Sequence, residues 1–238
     1  MPLQLMSLAS LQKDLYTNII ADDRYLLYLE GLRNTLLMAL GGVIIGTIIG
    51  VLIAIVKVYA SENKALTPLN WLANIYIGII RGTPVVVQLM IFYFVVFASA
   101  SDSWAMPVAM LSFGINSGAY VAEIIRAGIL SVDKGQTEAG RSLGLSQNTT
   151  MRYIVLPQAI KNILPALFNE FIALVKETSV APLIAVRELT MVSTVIKSRT
   201  FNAYVPLLTV AVIYLVIVLG LTALQKKMER RMSVSDQR

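Results

Sequence analysis

Residues 138–157 read EAGRSLGLSQNTTMRYIVLP. The stretch is polar, carries two glycines and two arginines, and lies between long apolar segments. In a water-soluble domain it would be an ordinary surface helix and turn. Here it interrupts a chain of 238 residues that is 56% hydrophobic and only 14% charged, with a mean hydropathy of +0.70. A soluble domain of this length needs more charge on its surface, so the balance places the chain among membrane proteins. The absence of cysteine excludes disulfides, thiolate nucleophiles and zinc–thiolate sites. The absence of histidine removes the commonest general base and the commonest metal ligand. A membrane enzyme would be left with carboxylate or Ser–Lys chemistry, and no motif arranges it. No catalytic or metal site is therefore expected. A net charge of +6 fits basic cytoplasmic loops and calls for no nucleic-acid partner.

Outward from this stretch, residues 104–130 precede it and residues 156–176 follow it, each long enough to cross hydrocarbon. Residues 34–58 are uncharged until Lys57. Within them Gly42, Gly46 and Gly50 recur every fourth residue with Ala54 next, a stripe that permits close helix contact in a seam or in generic bundle packing. Residues 70–98 read as one span in two pieces, because Gly82 and Pro84 of RGTP can bend or break a helix. Residues 204–224 form the fifth span, and residues 177–203 read as a short break with an interfacial helix. The expected fold class is an all-α integral membrane protein with five transmembrane helices. Its organisation is an outer or interfacial segment over 1–33, a transmembrane domain over 34–224 and a basic tail over 225–238. The N-terminus lacks a basic n-region and is not read as a cleaved signal peptide. Lys57, Lys64, Arg126, Lys134, Arg141, Arg152, Lys161 and the tail cations outnumber Lys13, Arg24, Arg33, Arg187, Lys197 and Arg199. That bias puts the N-terminus outside, the C-terminus in the cytoplasm and the opening stretch on the cytoplasmic side.

The stretch has its own local logic. Thr137 is the expected cap of a short helix, with Glu138 in the first turn where negative charge suits the dipole. Gly144 is the expected stop, since glycine accepts the left-handed conformation that ends helices. Leu143 and Leu145 supply apolar contact, and Pro157 is expected to open the next span. The product is a knob over about 133–147, shaped for a groove on a soluble partner.

Glu138-Ala139-Gly140, Gly144, Ile154 and Leu156-Pro157 follow the spacing of the EAA loop found in ABC importer permeases, with Gly140 in place of the second alanine. RGTPVVVQL at 81–89, GAYVAEIIRAGI at 118–129, KGQ at 134–136, SLGL at 142–145, LPQAIKNILPA at 156–166 and NEFIALVKETS at 169–179 are similar to the polar amino acid branch. The chain thus resembles a type I importer permease over residues 34–224. The resemblance implies a coupling helix, with Glu138, Ala139, Gly140, Gly144 and Leu145, docked on cytoplasmic ATP-binding subunits. The chain contains no GxxxxGK[ST] loop, so ATP and Mg would be bound by that partner and no cofactor by this chain. The resemblance also implies a second permease chain, identical or paralogous, an extracytoplasmic amino acid-binding protein, and a bacterial inner membrane.

Polar residues inside spans are costly, about 2.5–3.5 kcal/mol for a central charge, and should face a cavity or a partner. Asn116, Tyr120 and Glu123 share one helical face. Arg81 and Gln88 flank the RGTP break, and Asn162, Asn169 and Glu170 stripe the fourth span. These residues read as a substrate path. Arg81 would answer an α-carboxylate and Glu170, with Glu123, a cationic group. Glu170 lies roughly 20 Å along the helix from Pro157, and its charge points to arginine, histidine or lysine as cargo, with the glutamine class as the other option. Two bland pairings stand beside this: Glu123 with Arg126, and Glu170 with a structural partner such as Arg81. An ATP-independent carrier or channel is the competing class.

Overall fold

The computed structural model describes residues 8–60 and 63–234. The first seven residues of the expected N-terminal segment and the last four of the basic tail lie outside the described residues. Among the described residues all regular structure is helical. The α-helices are α1 (Leu8–Leu15), α2 (Arg24–Tyr59), α3 (Thr67–Gly82), α4 (Val85–Ile91), α5 (Ala105–Leu130), α6 (Lys134–Ser142), α7 (Gln147–Thr150), α8 (Leu156–Glu177), α9 (Leu189–Thr200) and α10 (Tyr204–Val234). Three helical stretches, Ala9–Tyr59, Asp102–Leu130 and Tyr204–Met232, are long and apolar enough to cross a bilayer. Two bent pairs raise the number to five if each pair is one span: Lys64–Gly82 with Val85–Val96, bent by 107°, and Gln147–Ile184 with Leu189–Thr200, bent by 49°.

The glycine stripe of α2 lies against α5. A methyl group on Gly46 would sit 2.7 Å from Cβ of Ser117, and one on Gly50 would sit 2.5 Å from Cγ1 of Val121. The approach is reciprocal, with Ile45 beside Gly114 and Ile49 beside Gly118. Only glycine lets two backbones come this close without displacing side chains. The facing positions 42/113, 46/117 and 50/121 rise together, so α2 and α5 run parallel. On α5, Ser117 faces Glu170 and Gly128 faces Ile163, so α8 runs antiparallel to α5. Phe113, Met38, Leu89, Leu174 and Ile184 fill the core where α2, α4, α5 and α8 meet.

Four boundaries differ from the sequence expectation, each for a physical reason. The last helix, α10, runs on to Val234 rather than ending near residue 224, because the Lys, Arg and Met that follow the apolar run are good helix formers. The first long helix begins at Arg24 rather than near residue 34. Charges at Arg24, Glu30 and Arg33 end the hydropathy run, but the helix persists because Gly31 packs on Val192 and Leu189 of α9. Arg24 bonds Thr17 O and pairs with Asp22 at 2.6 Å. The fourth helical stretch begins at Gln147, not at Pro157. Proline lacks an N–H and crowds the preceding turn, and the chain answers with a π turn over Met151–Val155 rather than a break. Residues 177–203 are a buried corner as much as an interfacial element. Thr178–Ile184 form a tight 3₁₀ turn, Ala185 takes a left-handed φ of 60°, and α9 then packs on α2 and α10. Glu188, fully buried, caps α9 by accepting from Met191 N at 2.8 Å and from Tyr214 Oη at 2.8 Å.

Candidate functional site

The knob is α6 and its turn. Asp133 caps the helix, its Oδ1 accepting from Gly135 N at 2.6 Å. Thr137 therefore sits inside the helix, a correction to its expected capping role: the aspartate four residues earlier offers the stronger acceptor. Gly144 takes a φ of +81°. Gly144 N donates to Arg141 O at 3.0 Å and Leu145 N to Gly140 O at 3.1 Å. These two bonds form a Schellman stop, which satisfies carbonyls that the helix end leaves free. Glu138, Ala139 and Leu143 are exposed, Leu143 to 80%, whereas Leu145 is half-buried. Gly140 faces inward, where a methyl group would meet Thr150 Cγ2 at 2.8 Å and Ile154 Cδ1 at 3.0 Å. Glycine at this position thus serves a close approach between α6 and the helix that follows.

At the RGTP break, Thr83 and Pro84 take extended conformations, as the residue before proline prefers. The carbonyls freed at the end of α3 are met by Gln88. Its Nε2 donates to Ile80 O at 2.8 Å, to Thr83 O at 3.1 Å and to Thr83 Oγ1 at 2.8 Å. Its Oε1 accepts from Asn116 Nδ2 at 2.9 Å, so the break is tied to α5. Both residues are buried. Tyr76 of α3 adds a hydroxyl donated to Ile115 O.

Glu123 is the hub of an ion cluster. Lys57 Nζ lies 3.0 Å from its Oε1, Arg126 Nη2 2.8 Å from Oε2, and Arg81 Nη1 3.9 Å from Oε2. Lys57 also donates to Asn74 Oδ1 at 3.0 Å. The Arg81 guanidinium lies over the Tyr120 ring at 5.3 Å. Among the described residues it makes no hydrogen bond, so its fork of N–H donors stays open. Three cations on one carboxylate leave a surplus of positive charge, favourable for an anionic group.

Glu170 stands apart from that cluster. Ser117 Oγ donates to its Oε1 at 2.8 Å, on the stretch of α5 that packs against Gly46. Asn169 beside it is exposed, and Asn162 reaches Ser131 Oγ at 2.8 Å. The structure therefore joins Arg81, Tyr120 and Glu123 in one cluster and Gln88 with Asn116 in another. Glu170 is partnered by Ser117 rather than Arg81. Lys57, Asn74 and Ser117 were not among the residues singled out from sequence. Lys57 carried a signal, as the first charge after a long apolar run. Ser117 carried one too, three residues before Tyr120 on the same face.

Known proteins match this chain over most of its length. Residues 42–234 match the family described as binding-protein-dependent transport system inner membrane component. The putative glutamine transport system permease protein GlnP of Rickettsia typhi is 39% identical over 89% of this chain and 95% of its own length. The arginine transport system permease protein ArtQ of Bacillus subtilis is 39% identical over 87% of this chain and 93% of its own. A crystal structure of an amino acid ABC transporter with histidines superposes with a TM-score of 0.82 at 39% identity, covering 96% of this chain and all of that one. An inward-facing MetNI methionine ABC transporter shares the fold at a TM-score of 0.74 and 19% identity, over 90% of this chain and 99% of that one. The chain belongs to the binding-protein-dependent transport system inner membrane component family, as a permease subunit of an ABC transporter.

Proposed function

We propose that the chain lines the translocation path of an ATP-driven importer of polar amino acids. In this reading it crosses a bacterial inner membrane five times, each bent pair counting as one span. The parallel register of α2 and α5 supports that count, because the α3–α4 pair must bring the chain back between them. The N-terminus lies outside and the C-terminus inside, in keeping with the distribution of basic residues. Residues 1–33 form the outer segment, 34–224 the permease domain and 225–238 the inner tail. A second permease chain, a binding protein outside and ATP-binding subunits inside complete the machine, and ATP and Mg are held by those subunits.

The observation that carries the reading is α6. It is a short helix, fixed at both ends by its own cap and stop, that presents Glu138, Ala139 and Leu143 outward between two hydrophobic stretches. A helix so exposed and so firmly terminated suits a groove on a partner. The path then runs past Gln88, Asn116 and Asn169. Arg81, over Tyr120, takes the α-carboxylate, and Glu170 takes a cationic side chain or the α-ammonium. Glu123 acts through the cations it gathers rather than on the cargo itself.

The chain has no cysteine, so a single introduced thiol reports cleanly. Ala139→Cys should cross-link to the co-purified ATP-binding subunit, and uptake in proteoliposomes should require ATP. Uptake without ATP, with no cross-link and no ATP-binding chain in the preparation, would transfer the protein to the class of ATP-independent carriers.

A further inference from the structure

The C-terminal end of α10 carries a feature that transport of the cargo does not use. Lys226, Lys227, Arg230 and Arg231 are all exposed and, with Ala223, line one open concavity. Their spacing places them on one side of the helix. The acidic residue among them, Glu229, accepts from Gln225 at 3.1 Å. Gln225 also donates to Pro165 O at 3.2 Å, which fixes this end of α10 beside α8, at the same end of the bundle as α6.

The apolar part of α10 leads directly into these cations. Leu208, Val212, Leu215, Val216, Leu219 and Leu224 are exposed. Lys226 lies seven residues after Leu219, and Lys227 eleven after Val216, so the outward apolar face continues into the basic one. From Tyr204, about 20 residues at 1.5 Å each span roughly 30 Å of hydrocarbon and end near Ala223. The four cations follow within the next two turns. Their charged ends therefore reach the layer, a few Å thick, that holds the phosphates of the lipid headgroups.

We infer that this face is a binding site for an anionic glycerophospholipid, with an acyl chain along Val212–Val216–Leu219 and the phosphate among Lys226, Lys227 and Arg231. Charge complementarity selects the occupant. Four cations on one face attract a headgroup of net negative charge and gain little from a zwitterionic one. The outward apolar face above them requires a ligand that is itself amphipathic, which free phosphate is not. A soluble protein partner would meet the cations but leave that apolar face uncovered.

The test uses the complete transporter complex in phosphatidylcholine nanodiscs that contain, at equal mole fraction, either photoactivatable phosphatidylglycerol or photoactivatable phosphatidylcholine. Phosphatidylglycerol should label the peptide holding residues 223–231 at least tenfold more strongly, and unlabelled phosphatidylglycerol should compete where inorganic phosphate does not. A basic residue at the surface contributes about fivefold to such binding, so Lys226→Gln with Lys227→Gln should reduce labelling about 25-fold. Lys64→Gln, outside the face, should leave labelling unchanged. The single Lys227→Gln, expected to lose about fivefold, keeps the test open should the double variant fail to assemble. Equal labelling by both lipids, displacement by inorganic phosphate, or loss of the ATP-binding subunit from the Lys227→Gln complex with lipid labelling intact would each overturn the assignment.

Discussion

Gly46→Ala adds one methyl group where α2 meets α5. That methyl would stand 2.7 Å from Ser117 Cβ, 2.9 Å from Ser117 Oγ and 3.1 Å from Gly118 N. Carbon atoms in good contact sit about 3.5–4.0 Å apart, so the helices must part by about 1 Å. No flexible side-chain end is available to swing away, because one neighbour is backbone and the other is a serine held by its bond to Glu170. Overpacking of this kind costs about 1–3 kcal/mol. Replacing glycine by alanine within a helix also gains up to about 1 kcal/mol of propensity, and Gly78→Ala isolates that gain. Nothing lies within 4 Å of a methyl placed on Gly78. The stability difference between the two variants, read by thermal unfolding of the purified complex in detergent, should therefore be about 1–3 kcal/mol in favour of Gly78→Ala. Because the displaced atoms belong to Ser117, Gly46→Ala should also raise the substrate concentration needed for half-maximal ATPase stimulation. If Gly46→Ala and Gly78→Ala unfold together and stimulate alike, the close seam and its link to Glu170 are both refuted.

Glu170→Gln keeps an acceptor for Ser117 but removes the charge. Uptake of arginine should fall about 10–100-fold, the worth of a charge-assisted hydrogen bond of roughly 1.5–3 kcal/mol, while glutamine uptake changes little; parallel loss of both would show a structural carboxylate. Gln88→Leu removes the bonds to the Ile80 and Thr83 carbonyls and orphans the buried Asn116 amide, so stability should drop by about 1–3 kcal/mol. Adding Asn116→Ala to that variant should cost little more, and an additive loss in the double-mutant cycle would deny the coupling. Gly144→Ala places a Cβ on a residue with a φ of +81°, at a cost of about 1 kcal/mol, so α6 should fray. Substrate-stimulated ATP hydrolysis should then fall relative to the basal rate, and an unchanged ratio would remove α6 from the coupling route.

Much of this fold was legible because a bilayer leaves few choices. Apolar runs of sufficient length, the i+4 glycines of α2 and the Gly–Pro break after Arg81 each have a direct physical reading. Gly144 was legible as well, since a left-handed residue closing a helix favours glycine. What could not be read were matters of partnership. Asn116 and Gln88 announced themselves as buried polar residues, but that one amide would meet three acceptors at the break and one donor on α5 depends on the crossing of three helices. Lys57 looked like a loop cation at the end of a span. Only the docking of α2 on α5 brings it 3.0 Å from Glu123. Hydropathy alone starts α2 too late because it senses lipid, whereas Gly31 and Tyr28 extend the helix by packing on α9.

In the coupling role proposed for α6, the knob must be joined to the transport path by something stiff, and the residues around Gly140 form a close joint. Thr150 and Ile154 close on Gly140 from the following helix, Arg141 donates to Gln147 at 3.2 Å, and Gln158 reaches back to Gln136 at 3.4 Å. From Gln147 the helical path is continuous into α8, because the π turn at Met151–Val155 absorbs the missing donor of Pro157 without a break. Glu170 lies twenty residues beyond Thr150 on this rod, roughly 30 Å along its axis. In the proposed route a displacement of α6 would reach the carboxylate along this single helical rod, and that carboxylate is held by Ser117 to the helix that α2 grips through its glycines. The small residues of this chain mark both ends of that route. Gly140 lets the knob sit close on its rod, and Gly46 lets α2 and α5 close behind Ser117. Larger residues at either place would separate the surfaces through which, in the proposed coupling, a push on α6 would travel.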